Sequence, residues 1–130
     1  MIVVDTTVWA DWFNGEQSPA VDRLDRALRQ QEAGLVPVIL TEVLQGFRSD
    51  RDFERARVRL VRLPVLTLDI EGHAAAARLF RQLRRRGVTV RGAVDCIIAQ
   101  TCIAAGVELL STDQDFIGIA NHSPLRLCAV

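Results

Sequence analysis

Acidic residues recur along this chain just after a predicted strand or in the first turn of a predicted helix. They are Asp5, Glu42, Asp95 and Asp113, with Asp115 close behind the last. A single acid at a helix N-terminus ordinarily caps the helix or pairs with its dipole. The carboxyl ends of parallel strands, however, meet at one edge of a sheet, where ligands bind. We therefore expect these carboxylates to converge.

Converging carboxylates repel one another unless they are protonated or share a cation. Two unit charges ~4 Å apart at an effective dielectric of ~20 repel by roughly 4 kcal/mol. Ligands that are all oxygen select Mg²⁺ or Mn²⁺ over zinc. Neither His73 nor His122 lies near an acid along the chain, so we interpret both as structural or solvated. A divalent ion acidifies bound water and neutralises phosphodiester charge, so the pattern indicates phosphodiester hydrolysis.

Five short apolar runs are predicted to form the strands that position these acids. The first, Ile2 to Val4, is an uninterrupted β-branched run that ends on Asp5, as in a strand buried on both faces. The others are Leu35–Ile39, with Pro37 near an edge or terminus, Pro64–Leu68, Val107–Leu110 and a last edge strand at Leu125–Leu127.

Helical patterns separate the strands. The first begins after Asp5 and stops at Asn14-Gly15, and the second begins at Ser18-Pro19 and ends at Gly34. The third begins at Thr41 and the fourth at about Phe53. The fifth begins at Ile70 and ends at Gly87, and the sixth begins at Val94 and stops at Gly106. The charged run 49–52 is either a solvated corner or the start of the fourth helix. This alternation predicts one α/β domain, residues 1–130, with a mainly parallel central sheet.

Composition excludes several classes of protein. Sixteen acids balance sixteen bases, so no overall field attracts nucleic acid or a membrane. All sixteen bases are arginine, which suits phosphate contacts but also fits a biased genome composition. The missing lysine excludes a response-regulator receiver and a phosphate-binding loop. Thr7 stands where a haloacid-dehalogenase-type phosphatase needs a second aspartate. No leader or membrane segment is apparent, so we expect a cytoplasmic protein.

Four blocks of sequence contain these acids: Ile2–Trp9, Thr41–Val43, Val94–Ala99 and Leu109–Phe116. They resemble the signature blocks of PIN-domain ribonucleases, and more narrowly those of VapC toxins from type II toxin–antitoxin systems. They occur in the family's order and cover essentially the whole chain. The resemblance implies a PIN-like three-layer α/β/α fold.

The resemblance also implies a function and a site. The metal-binding acids would be Asp5, Glu42, Asp95 and Asp113, with Asp115 as an alternative to Asp113, and the supporting hydroxyl would be that of Thr7 or Thr6. Such an enzyme is expected to use Mg²⁺ or Mn²⁺ to cleave single-stranded regions of tRNA or rRNA and so inhibit translation. It is expected to be a homodimer, neutralised by a VapB-like antitoxin in a heterotetramer or a larger complex.

Two groups of side chains and one alternative function remain open at this point. The aromatic side chains of Trp9, Trp12 and Phe13 form core or dimer-interface packing, or else line a groove for an antitoxin helix. Arg86 and Arg91 are candidates for contacts to RNA phosphate, or else they are helix-end and loop charges. The alternative function is a catalytically silent PIN-like module that binds RNA or protein.

Overall fold

A parallel three-stranded sheet lies at the centre of the computed structural model, which describes residues 1–130. The strands are β1 (Ile2–Val4), β2 (Ala33–Gly34) and β3 (Glu108–Leu110). The helices are α1 (Thr6–Phe13), α2 (Pro19–Arg29), α3 (Pro37–Gln45), α4 (Asp50–Leu60), α5 (Ile70–Arg85), α6 (Ala93–Ala105) and α7 (Gln114–Asn121). None of these helices combines the length and the hydropathy that a membrane span requires.

The first strand occupies the middle of the sheet, whose order is β2-β1-β3. Val3 pairs with Gly34 on one side and with Leu109 on the other. Both neighbours run parallel to β1, and the Asp5 N–H donates to the Leu110 carbonyl at 2.9 Å. Asp5 and the residues after β3 therefore meet at one edge of the sheet, as the sequence predicts.

The core follows from the composition of β1 and β3. Ile2, Val3 and Val4 are all buried, as are Leu109 and Leu110. Because successive side chains of a strand point to opposite faces, a strand buried throughout needs helices above and below it. The predicted three-layer α/β/α arrangement with a mainly parallel sheet is confirmed.

The prediction of a strand over Leu35–Ile39 is wrong. Strand β2 is only Ala33–Gly34, and Pro37 starts helix α3. Proline is well suited to the first helical position, because the N–H that it lacks would have no partner there. Gly34 consequently lies in the sheet and does not end α2, whose last helical residue is Arg29.

Two other predicted strands are reduced to isolated bridges. The Pro64–Leu68 segment pairs with the sheet only through Leu35 and Val65, and the Leu125–Leu127 segment only through Leu109 and Leu127. Both bridges are parallel. These segments extend the sheet at its two edges by one residue pair each.

The helix ends follow their capping residues. The Ser18 hydroxyl accepts the Val21 N–H at 3.1 Å, and the Ser49 hydroxyl accepts the Asp52 N–H at 3.2 Å. The charged run 49–52 is thus the cap and first turn of α4, which begins earlier than Phe53. Gly87 and Gly106 have φ of +75° and +66° just beyond α5 and α6, where a residue without Cβ is favoured.

Candidate active site

An open cleft of about 380 Å³, which we call the acid cleft, lies at the carboxyl edge of the sheet. It is lined by Asp5, Thr6, Thr7, Glu42, Arg91, Gly92, Val94, Asp95 and Asp113. The four predicted acids thus reach one cleft from the end of β1, from α3, from α6 and from the loop after β3. Asp115 does not line it, and neither histidine does.

Asp5 is the most deeply placed of these acids, with 5% of its surface exposed. Its Oδ1 accepts the Thr6 N–H at 2.8 Å, which caps α1, and its Oδ2 accepts the Ser111 hydroxyl at 2.9 Å. Burial raises the pKa of the Asp5 carboxyl, these two hydrogen bonds lower it, and the charges of Asp113 and Glu42 raise it further. The site therefore holds this carboxylate in one orientation.

Ser111 is a site residue that the sequence analysis missed. Besides donating to Asp5, its hydroxyl oxygen accepts the Asp113 N–H at 3.1 Å. It joins the ends of β1 and β3 through one side chain. The only available signal was its position directly after a buried strand and two residues before a predicted acid.

Glu42 reaches the cleft from a different position in its helix than predicted. It lies in the middle of α3 rather than in the first turn, because the helix already begins at Pro37. Its Oε1 accepts the Thr6 hydroxyl at 2.8 Å. Of the two candidate hydroxyls, Thr6 is therefore the one that holds an acid, while Thr7 is an exposed part of the lining.

Asp95 lies in the first turn of α6, as predicted. Burial, followed by the charges of Asp113, Asp5 and Asp115, raises the pKa of its carboxyl to about 6, and Arg91 opposes this shift. Burial and the neighbouring acids thus both disfavour the ionised form of Asp95. A cation placed between Asp5 and Asp95 would offset this effect.

Arg91 neutralises the other side of the cleft. Its Nη2 donates to Oδ2 of Asp113 at 2.9 Å and its Nε donates to Oδ2 of Asp115 at 2.8 Å. Asp113 also caps α7, because its Oδ1 accepts the Asp115 N–H at 2.9 Å. Arg86, the other predicted phosphate contact, is the exposed C-cap of α5 and does not line the cleft.

The donor set fits Mg²⁺ or Mn²⁺. No three acidic, histidine or cysteine side chains stand close enough to hold one ion among themselves. Mg²⁺ nevertheless needs only one or two carboxylates, since waters and substrate phosphates complete its shell. Asp5 and Asp95 supply such a pair, and no nitrogen or sulfur ligand faces the cleft to favour zinc.

A second cavity, the aromatic groove, has a volume of about 360 Å³. It is lined by Trp12, Phe13, Asn14, Phe47, Asp52, Arg55, Ala56 and Arg59. The Trp12 and Phe13 rings pack edge to face at 5.0 Å, and the Arg59 guanidinium lies 4.8 Å from the centre of a Trp12 ring. Trp9 is 2% exposed, so it is a core residue and does not line the groove.

The sequence of this chain is similar to those of PIN-domain proteins. The PIN domain family model matches residues 2–121. The VapC ribonuclease Mb1587 of Mycobacterium bovis and ribonuclease VapC11 of Mycobacterium tuberculosis are each 33% identical over an alignment of 129 residues, and the alignment covers 97% of this chain and 96% of each relative.

Solved structures share the fold at lower sequence identity. The crystal structure of VapBC2 from Rickettsia felis bound to a promoter DNA fragment matches with a TM-score of 0.78 and 17% identity, covering 98% of each chain. FitAcB from Neisseria gonorrhoeae matches with a TM-score of 0.73 and 16% identity, over 99% of this chain and 97% of that one.

Proposed function

The chain belongs to the PIN domain family, and from this premise we propose that it is an endoribonuclease toxin dependent on Mg²⁺ or Mn²⁺. Its substrate would be single-stranded regions of tRNA or rRNA, so that cleavage in the cytoplasm inhibits translation. The ribonuclease names of the two mycobacterial relatives support RNA as the substrate. The observation that carries the proposal is the arrival of Asp5, Glu42, Asp95 and Asp113 in one cleft.

The four acids and two neighbouring hydroxyl groups have distinct parts in the proposed reaction. Asp5 and Asp95 would hold the metal, which when bound supplies an acidified water and positive charge for the phosphodiester. Ser111 keeps the Asp5 carboxylate oriented. Thr6 holds Glu42 at the cleft wall, where the carboxylate can orient a water or accept its proton. Asp113 is the candidate for the fourth acid, with Asp115 behind it.

The proposed partner is a VapB-like antitoxin that blocks the acid cleft. VapBC2 from Rickettsia felis, whose fold this chain shares, is a VapBC complex and supports this partner. The aromatic groove has the large apolar anchors that helix-in-groove recognition requires. We further propose that the toxin is a homodimer, which with its antitoxin forms a heterotetramer or a larger complex.

One observation favours the second candidate, a catalytically silent module that binds RNA or protein. Arg91 already neutralises Asp113 and Asp115, and no three acids converge on one point. A protein whose acids serve only its fold would have this arrangement. RNA binding without cleavage, unchanged by metal, is the expected behaviour of such a module.

An RNA cleavage assay separates the two candidates. Protein freed of antitoxin is incubated with single-stranded RNA and Mg²⁺ or Mn²⁺, with and without EDTA. The nuclease proposal expects cleavage that EDTA and Asp5→Asn abolish. Asp22→Asn removes an exposed acid of α2 and should cleave normally. Cleavage that persists in EDTA, or in a folded Asp5→Asn variant, contradicts the proposal.

A further inference from the structure

Arg91 bridges two acids that come from one turn of the chain. Its side chain is 74% exposed, yet two of its nitrogens are engaged at 2.8 and 2.9 Å, by Asp115 and Asp113 respectively. A guanidinium presents its donors in a fixed planar fork, so separate N–H groups can reach the two carboxylates, whereas an ammonium is a compact point charge without this fixed geometry. Arginine should therefore hold this pair of acids better than lysine would.

The backbone that carries Arg91 is anchored. The segment between α5 and α6 turns at Gly87, and the Val88 N–H donates to the Leu83 carbonyl at 2.9 Å. Val88 and Val90 are partly buried against the core. With the backbone held and the side chain exposed, the guanidinium can leave its partners by rotation about side-chain bonds alone.

Both oxygens of Asp113 already accept a hydrogen bond. Its Oδ1 caps α7 and its Oδ2 accepts from Arg91. Each oxygen keeps a second lone pair for a metal ion, but a divalent ion at Asp113 would stand close to the Arg91 guanidinium, and the two cations would repel each other. The bond to Arg91 is the exposed one, while the cap bond is partly buried and holds a helix end.

We infer that Arg91 is an internal counter-ion of the active site, which occupies Asp113 and Asp115 in the metal-free protein and gives way when a divalent ion binds. This inference rests on the proposed function, since it concerns the same metal. It places a released guanidinium at the cleft mouth, where RNA phosphate would arrive.

Metal binding without RNA tests this inference directly. Mn²⁺ affinity is measured by isothermal titration calorimetry on the wild type and on Arg91→Gln. Exposed ion pairs are worth little, so the expected gain in affinity is roughly two- to fivefold. The rise in melting temperature on adding Mn²⁺ should also be larger in Arg91→Gln, because its metal-free form has lost the counter-ion.

Two further variants test whether Arg91 acts through its contacts with Asp113 and Asp115 or only through its positive charge. Arg85→Gln removes an equal charge from the exposed last turn of α5 and should leave Mn²⁺ affinity unchanged. Arg91→Lys keeps the charge but loses the fork, and should recover a large part of the gain. If Arg91→Lys binds Mn²⁺ like the wild type, or if Arg91→Gln binds it no better, the counter-ion role is overturned.

The failure of this inference differs from the failure of the nuclease proposal. Metal binding that depends on Asp5 but is insensitive to Arg91 removes only the counter-ion role. An absence of Mn²⁺ binding in both the wild type and Arg91→Gln removes the metal site, and the counter-ion role with it.

Discussion

The acid cleft and the aromatic groove adjoin opposite ends of the same helix, α1. Thr6, its first residue, lines the cleft, and Trp12 and Phe13, at its end, line the groove. The cleft has a single apolar residue, Val94, whereas the groove is built around aromatic rings. One surface is suited to ions and phosphate. The other, with its aromatic rings beside Asp52, Arg55 and Arg59, is suited to an amphipathic partner. Chemistry and partner recognition should therefore be separable by substitution.

The largest effect is expected in the cleft. Asp95→Asn should lower RNA cleavage by about a hundredfold or more, since removing an interaction essential to the transition state has effects of this order. The variant should remain folded, because it loses a carboxylate that its neighbours repel. Cleavage rates and circular dichroism check both points. Near-normal cleavage by Asp95→Asn would remove this residue from the site.

The groove should respond in the opposite way. Trp12→Ala is expected to weaken antitoxin binding about tenfold or more, as buried tryptophan anchors often do, and to leave RNA cleavage unchanged. Trp12 also donates from Nε1 to Asp25 at 3.3 Å, so Trp12→Phe serves as the control that keeps a ring and loses only this hydrogen bond. Unchanged antitoxin affinity in a folded Trp12→Ala variant would show that the groove is not the docking surface.

Lower pH should affect the cleft and not the groove. With the pKa of Asp95 at about 6, the ionised fraction falls about tenfold between pH 7.5 and pH 5. Metal binding needs the ionised form, so cleavage at low Mg²⁺ should fall by a similar factor. Added Mg²⁺ should move the midpoint to lower pH, because it binds only the deprotonated carboxyl. A midpoint independent of metal concentration would contradict this assignment.

Without metal, a higher pH should lower the folding stability of the protein, although it favours metal binding. The pKa of Asp95 is raised from its ordinary 3.8 to about 6 by folding, so the folded state binds more protons between these values and loses stability as pH rises through them. Asp95→Asn should be more stable than the wild type at pH 8 and should approach it near pH 4. Urea unfolding at both pH values, with EDTA present, measures the difference.

The smallest effect concerns the hydroxyl that orients Glu42. Thr6→Val removes the 2.8 Å hydrogen bond to Glu42 and should lower cleavage about fivefold, the value of one typical hydrogen bond. Thr6→Ser keeps the hydroxyl and should restore most of the activity. Thr7→Val makes a comparable change beside it and should have less effect. A larger loss in Thr7→Val would reverse the choice between the two threonines.

The residues next to Asp5 in the sequence were sufficient to predict its position at the end of a strand. A β-branched run followed by an acid has few alternatives, and the structure places Asp5 at the end of the central strand. The helix ends at Gly87 and Gly106 were predictable for the same reason, since a left-handed backbone at a helix end favours glycine. These features depend on a few neighbouring residues.

The features that sequence analysis missed depend on distant contacts. No residue of Leu35–Ile39 pairs with β1, and helix α3 begins inside this run at Pro37. Proline fits the start of a helix as well as the edge of a strand, so the apolar run alone does not distinguish the two. The bond between Ser111 and Asp5 joins residues 106 positions apart. The partners of Arg91 were likewise invisible, because its pairing depends on where α7 begins relative to the loop before α6.

The hydrogen bond between Asp5 and Ser111 also has a consequence for how the protein is made. Translation proceeds from the N-terminus, so the first acid of the site is synthesised long before β3 and Asp113, which must join it. A chain that stalls on the ribosome before residue 108 lacks the third strand, together with Ser111 and Asp113. Incomplete copies of this protein should consequently lack the complete cleft on which the proposed RNA cleavage depends.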